Sequence, residues 1–314
     1  MPNRWYPVLK NLSGCLCEAF SPNANLFLHL AMKTTTPAAA VLSVFSKKRG
    51  RKLNGLLLLF AVFISLAFLQ KERPKPTLYL IGDSTVKNGK GNGDGGLWGW
   101  GAFLPAHFDT TRLAIRNAAL GGTSSRTFRT KGLWADVQTK LKPGDFVIMQ
   151  FGHNDNGPLA DTARARGTIR SNGNESQEIY NPITKQQEVV HSYGWYLRQY
   201  IAEAKAKGAT VIVCSLIPRN QWQDGKVKRA DADYGQWAAA AAKQGGAYYI
   251  DLNNRVADKY DAEGEQKVRA TYFNTQDHTH TIEAGAKLNA AIVAEGIRDL
   301  KKCPLQKYLV KKAG

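Results

Sequence analysis

The chain has 314 residues, and its 43 Lys and Arg against 25 Asp and Glu give a formal net charge of +18. A composition of 43% hydrophobic and 22% charged residues excludes wholesale disorder, and no fixed period marks a solenoid or propeller. So basic a chain first points to nucleic acid or a membrane. However, half of the excess falls in residues 1–76, and Lys301, Lys302, Lys307, Lys311 and Lys312 form a basic C-terminal tail over 301–314. The body, 77–300, has the near balance of an ordinary globular protein, and no nucleic-acid partner is expected.

Residues 1–76 read as an N-terminal extension. Lys47, Lys48, Arg49, Arg51 and Lys52 precede an apolar run over 53–70, the order of a secretory signal. The run is at the short end of the roughly 20 residues that span a bilayer. It fits a cleaved signal, an uncleaved signal anchor or a buried core helix, and Met32 offers an alternative start. The basic flank favours export of everything after Lys71, secreted or periplasmic, or held at the membrane by an uncleaved signal. Of the four cysteines, Cys15 and Cys17 lie in the extension, Cys214 reads as a buried core thiol, and a bridge from it to Cys303 is left open.

From Thr77 onward short apolar runs alternate with amphipathic stretches. Leu78–Ile81, Leu113–Ile115, Phe146–Gln150, Val211–Leu216 and Tyr248–Leu252 are expected strands. Trp98–Phe108, Leu133–Leu141, Tyr196–Lys207, Tyr234–Gln244 and Glu283–Leu300 are expected helices. Five strands, each followed by a helix, predict a five-stranded parallel sheet covered on both faces, a three-layer α/β/α sandwich. The segment 157–190 carries no convincing pattern and holds Arg164, Arg166 and Arg170; so long a loop, following a strand-end turn, is expected near the site.

Ligands of such sheets bind outside the carboxyl ends of the strands. There the sequence places Gly82-Asp83-Ser84-Thr85, then Asn117-Ala118-Ala119-Leu120-Gly121-Gly122, then Phe151-Gly152-His153-Asn154-Asp155, with Asp277-His278-Thr279-His280 before the last helix. A serine hydroxyl is a weak nucleophile until a base accepts its proton. His280 is the candidate base and Asp277 its orienting partner. Oxyanion donors are expected from the backbone N–H groups of Ser84 and Gly122 and the side chain of Asn154.

These four segments resemble, in order and context, the four blocks of the SGNH (GDSL-like) hydrolases. Within that family, Gly82-Asp83-Ser84-Thr85-Val86, Gly99-Trp100-Gly101, Phe151-Gly152-His153-Asn154-Asp155 and Asp277-His278-Thr279-His280 look most like rhamnogalacturonan acetylesterases. The resemblance covers nearly all of 77–300. It implies a flavodoxin-like fold, Ser84 as nucleophile, His280 and Asp277 as its partners, Gly122 and Asn154 as oxyanion donors, no cofactor, and an acetylated acidic polysaccharide as substrate.

Other readings stay in view. The same chemistry serves other acetylated glycans or lipids, and a non-catalytic binder of anionic polymers would use the basic surface alone. Asp277-His278-Thr279-His280 also contains a His-x-His pair, but neither carboxylates nor cysteines cluster around it at metal-ligand spacing, so no metal is expected. The absence of Gly-x-Ser-x-Gly argues against an α/β-hydrolase nucleophile elbow. His153 is expected to hold its loop by hydrogen bonds. Arg126, Trp100 and His278 are candidate substrate contacts, with Arg129, the loop arginines and Trp98 behind them; core packing is the alternative for both tryptophans.

Overall fold

The computed structural model describes residues 75–87 and 93–311, which belong to one compact unit, Arg73–Gly314. The apolar run over 53–70 lies outside the described residues. Among them no helix is long and apolar enough to cross a membrane.

The strands of the main sheet are β1 (Thr77–Gly82), β2 (Ala114–Asn117), β3 (Phe146–Gln150), β6 (Thr210–Cys214) and β9 (Tyr248–Ile250). Two short antiparallel hairpins add β4 (Ser176–Asn181) with β5 (Gln186–His191), and β7 (Trp222–Gln223) with β8 (Lys226–Val227). The helices are α1 (Ser125–Thr130), α2 (Leu133–Gln138), α3 (Tyr193–Ala206), α4 (Tyr234–Gly245), α5 (Leu252–Glu263), α6 (Glu265–Tyr272) and α7 (Glu283–Asp299).

All five main strands run parallel in the order β2-β1-β3-β6-β9, as the alternation of strand and helix predicts. Side chains of a strand alternate between faces, and here both faces are buried. Leu78, Leu80, Ile148, Ile212 and Cys214 join α5 and α7 in one core. Tyr79, Ile81, Val147, Met149, Val211 and Val213 join Phe128 of α1, Tyr200 of α3 and Ala238 of α4 in the other. The chain leaves β1 for β2 on one side and later returns to β3 on the other, so the strand order reverses at the carboxyl ends of β1 and β3. A sheet of this kind opens its ligand crevice at that point.

The segment Trp98–Phe108 is not the expected α-helix. It forms two 3-10 turns, Trp100–Ala102 and Leu104–His107. The N–H groups of Gly99, Trp100 and Gly101 donate to the carbonyls of Lys87, Thr85 and Val86 at 3.2, 3.0 and 3.0 Å, and Ala102, Phe103, Ala106 and Phe108 donate three residues back rather than four, with Pro105 supplying no N–H. Gly101 packs so closely that a Cβ there would lie 2.6 Å from the Val86 oxygen. This segment therefore braces the turn that follows β1. The stretch 157–190 also departs from expectation, because it contains the β4–β5 hairpin. Tyr248–Leu252 ends as a strand at Ile250, and Leu252 begins α5, with Asp251 accepting the Asn254 N–H as its N-cap.

Candidate active site

The turn after β1 begins at Gly82, whose φ of +158° and close neighbours leave no room for a side chain; a Cβ would sit 2.5 Å from both the Gln150 carbonyl oxygen and Val86 Cγ2. Asp83 next accepts from the N–H and hydroxyl of Thr85 at 2.8 and 2.7 Å. Gln150 Nε2 donates to Thr85 Oγ1 at 2.6 Å, and Trp100 Nε1 donates to Gln150 Oε1 at 2.8 Å. This buried chain of bonds fixes the backbone that presents Ser84. Burial holds the Asp83 carboxyl above the ordinary range, although the Thr85 bonds work against it.

Ser84 Oγ lies 2.7 Å from His280 Nε2, and His280 Nδ1 lies 2.6 Å from Asp277 Oδ2. The other Asp277 oxygen accepts the N–H groups of Thr279 and His280 at 2.7 and 2.9 Å. Burial works to raise the Asp277 pKa, but the bonds from the His280 ring and these two N–H groups outweigh it, and the carboxyl stays below its usual range. An ionised Asp277 selects the tautomer in which Nδ1 carries the proton and Nε2 is free to accept from Ser84.

On the same pocket as Ser84, Gly122 adopts a φ of +78°. Among the described residues the N–H groups of Ser84 and Gly122 donate to no protein acceptor. Asn154 Nδ2 donates one hydrogen to the Thr123 carbonyl at 2.9 Å and has a second to give. The loops bearing Gly122 and Asn154 are tied below by Asp155, which accepts from the Ser125 N–H at 3.1 Å and from Gly152 N–H at 3.1 Å. Burial raises the Asp155 pKa to about 7, against the opposing effect of the Ser125 bonds.

Ser84, Gly122, Asn154 and His280 line one pocket of about 620 Å³, together with Lys131, Arg164, Arg166 and Arg219. No carboxylate is among its lining residues. Arg166 donates to the Gly122 carbonyl at 3.3 Å, so the long loop does reach the site.

Four expected contacts are placed elsewhere. Arg126 is fully buried; its Nε and Nη2 donate to Glu188 at 2.7 and 2.6 Å and its Nη1 to the carbonyls of Leu159 and Gly167 at 2.8 and 2.9 Å. It holds the β4–β5 hairpin and the loop before it rather than a ligand. Arg129 is likewise bound to Glu203 at 2.8 Å. Trp100 is a core residue beneath the Ser84 turn, and His278 is exposed outside the pocket, its carbonyl accepting the Asn220 N–H at 2.7 Å. His153 does line the pocket, with its ring against the Ile217 backbone and its carbonyl oxygen accepting from Arg219 at 3.3 Å. Burial, then the charges of Arg219 and His280, push its pKa down to about 3, so the ring is neutral. Cys214 and Cys303 are both buried and free.

Arg219 and Lys131 were not picked out from the sequence. Arg219 follows β6, donates to Thr279 Oγ1 as well as to the His153 carbonyl, and so bridges the His280 and Asn154 loops. The signal available was its place after a strand end, in Ile217-Pro218-Arg219.

A serine hydroxyl, imidazole and carboxylate in sequence, on one pocket with N–H donors that meet no acceptor among the described residues, at the switch point of a parallel sheet, define the chemistry of a serine hydrolase. The chain belongs to the GDSL-like lipase/acylhydrolase family, whose model matches residues 80–288. It is 31% identical over 227 residues to a rhamnogalacturonan acetylesterase of Emericella nidulans, covering 70% of this chain and 86% of that one. It is also 31% identical over 239 residues to a probable rhamnogalacturonan acetylesterase, YesY of Bacillus subtilis, covering 74% and 97%. The crystal structure of YxiM from Bacillus subtilis superposes with a TM-score of 0.58 at 26% identity, over 72% of this chain and 56% of that longer protein.

Proposed function

We propose that the protein is an exported serine esterase that removes acetyl groups from a polysaccharide, with acetylated rhamnogalacturonan as its polymer. The observation that carries this reading is the continuous chain Ser84–His280–Asp277, at 2.7 and 2.6 Å, on a pocket shared with Gly122, where the N–H groups of Ser84 and Gly122 meet no acceptor among the described residues. Names of relatives at 31% identity support the acetyl ester and the pectic polymer. The cationic lining of the pocket supports an acidic one, since guanidinium groups bind carboxylates bidentately. The basic cluster ahead of the apolar run over 53–70 supports export.

In this mechanism Ser84 Oγ attacks the acetyl carbonyl carbon while its proton passes to His280 Nε2. Asp277 stabilises the imidazolium through Nδ1, and the carbonyl oxygen, now an oxyanion, is held by Ser84 N–H, Gly122 N–H and Asn154 Nδ2. Collapse breaks the ester C–O bond, and His280 returns the proton to the leaving sugar oxygen. His280 then takes a proton from water, the hydroxide attacks the acetyl-Ser84 carbonyl, and acetate leaves as Ser84 is reprotonated.

The test is acetate release from a panel of substrates. Acetylated rhamnogalacturonan should be the preferred polymer, ahead of acetylated xylan and of long-chain p-nitrophenyl esters. Equal or faster turnover of long acyl chains would sink the carbohydrate reading.

A further inference from the structure

Beside the pocket that holds Ser84 lies a second cavity of about 260 Å³, at the carboxyl ends of β3 and β6. Both are lined by His153 and Arg219, so the two spaces share one wall. Arg219 is half-buried, and among the described residues no carboxylate lies within ion-pair distance of it; its hydrogen bonds go to neutral oxygens, Thr279 Oγ1 and the His153 carbonyl. Burial pulls its pKa down, and the charges of Asp83 and Asp277 offset this only in part. A half-buried cation without a counter-ion is costly, and five N–H donors in a fixed fork leave most of its capacity unused. Arg126 and Arg129 show the contrast, since each is bound to a glutamate. The rest of the cavity is mixed, with Leu216, Ile217 and Pro218 on its wall and the exposed Asn156, Gln221 and Lys228 also lining it. Its carboxylate, Asp233, accepts the Tyr234 N–H and lies 4.0 Å from Arg170.

We propose that Arg219, on the wall between the two spaces, binds a uronic carboxylate of the polymer, and that the second cavity is the subsite for the sugar next to the acetylated one. The proposal rests on the polysaccharide deacetylase reading and adds to it which residue reads the charge and where the neighbouring sugar sits. An anion held there by Arg219 lies beside both the His280 loop and the Asn154 loop, so binding it orients the ester toward Ser84 Oγ. The carboxylate makes the close ion pair that Asp83 and Asp277, acting on Arg219 from farther off, do not.

The experiment uses acetylated pectic oligosaccharides with their uronic carboxylates intact, the same oligosaccharides with those carboxylates reduced to alcohols, and p-nitrophenyl acetate. Values of kcat/KM are measured for wild type, Arg219→Gln and Gln221→Trp. Wild type should favour the intact over the reduced oligosaccharide about 10-fold or more, the worth of a charge-assisted hydrogen bond. Arg219→Gln should erase that preference. Gln221→Trp, which fills the cavity from its exposed rim, should lower the ratio of oligosaccharide to p-nitrophenyl acetate turnover about 10-fold. If Arg219→Gln slows all three substrates by one factor, the residue only braces the catalytic loops and the proposal falls. It also falls if Gln221→Trp leaves that ratio unchanged, or if wild type releases acetate from both oligosaccharides equally. Absence of acetate release from either by wild type would overturn the deacetylase reading itself.

Discussion

The buried pair Arg126–Glu188 offers the sharpest test of how the pocket wall is held. Arg126 sits in α1 with its side chain 0% exposed, and Glu188 in β5 with its side chain 16% exposed. Two parallel bonds join them, and Asn181 Nδ2 adds a third to the same carboxylate at 2.6 Å. Replacing Glu188 with Ala leaves a guanidinium buried without its counter-ion, a change that costs about 3–5 kcal/mol. For a body of roughly 240 residues, at ~2.1 cal/mol/K of unfolding entropy per residue, this lowers Tm by about 6–10 °C. Thermal unfolding followed by circular dichroism reads the shift directly. The double variant Arg126→Met with Glu188→Leu should recover part of it, because an apolar pair removes the uncompensated charge while the Leu159 and Gly167 carbonyls and Asn181 lose their partners. The hairpin also carries Ile183 into the pocket lining, while Arg126 bonds the loop that leads to Arg164 and Arg166. Turnover of polymer should therefore fall more than turnover of p-nitrophenyl acetate in Glu188→Ala. A Tm change under about 2 °C, or equal losses on both substrates, would refute this account of the wall.

Three further outcomes follow from the site. Asn154→Ala removes one oxyanion donor and should lower kcat about 10²–10³-fold with KM little changed, in steady-state assays of acetate release. Asp277→Asn deprives His280 of the partner that sets its tautomer, and kcat should fall by about 10⁴-fold while the folded structure persists, checked by activity beside circular dichroism. The His153 pKa of about 3 lies below the ordinary 6.5, so its contribution to stability is complete above pH 6.5 and is lost as the pH falls toward 3. The slope of Tm against pH over that window should be shallower in His153→Gln than in wild type, and equal slopes would contradict the buried neutral ring.

Much of the frame is legible in local sequence because it is local physics. Phe146–Met149 and Val211–Val213 read as strand segments buried on both faces, and they are. The four turns at the strand ends read as one rim because a parallel sheet brings all its carboxyl ends together. What escaped depends on partners far along the chain. Arg126 looked like a substrate contact until Glu188, 62 residues away, was seen to occupy it. Trp98–Phe108 has the apolar spacing of a helix, yet its N–H groups are drawn to the carbonyls of Thr85–Lys87. Helix α5 hides because Leu252, Val256, Ala257 and Tyr260 are diluted by Asn, Asp and Lys. Strand β4 hides because only Ile179 and Asn181 turn inward. Arg219 is informative only once the loops of His280 and Asn154 are known to meet beside it.

The central claim is that Ser84 is the nucleophile of a deacetylase. Acetate released from acetylated rhamnogalacturonan, measured for wild type and Ser84→Ala at equal concentrations of folded protein, tests it most directly. The account predicts steady release by wild type and loss to background on removal of the hydroxyl that lies 2.7 Å from His280. Release by Ser84→Ala at the wild-type rate would contradict it.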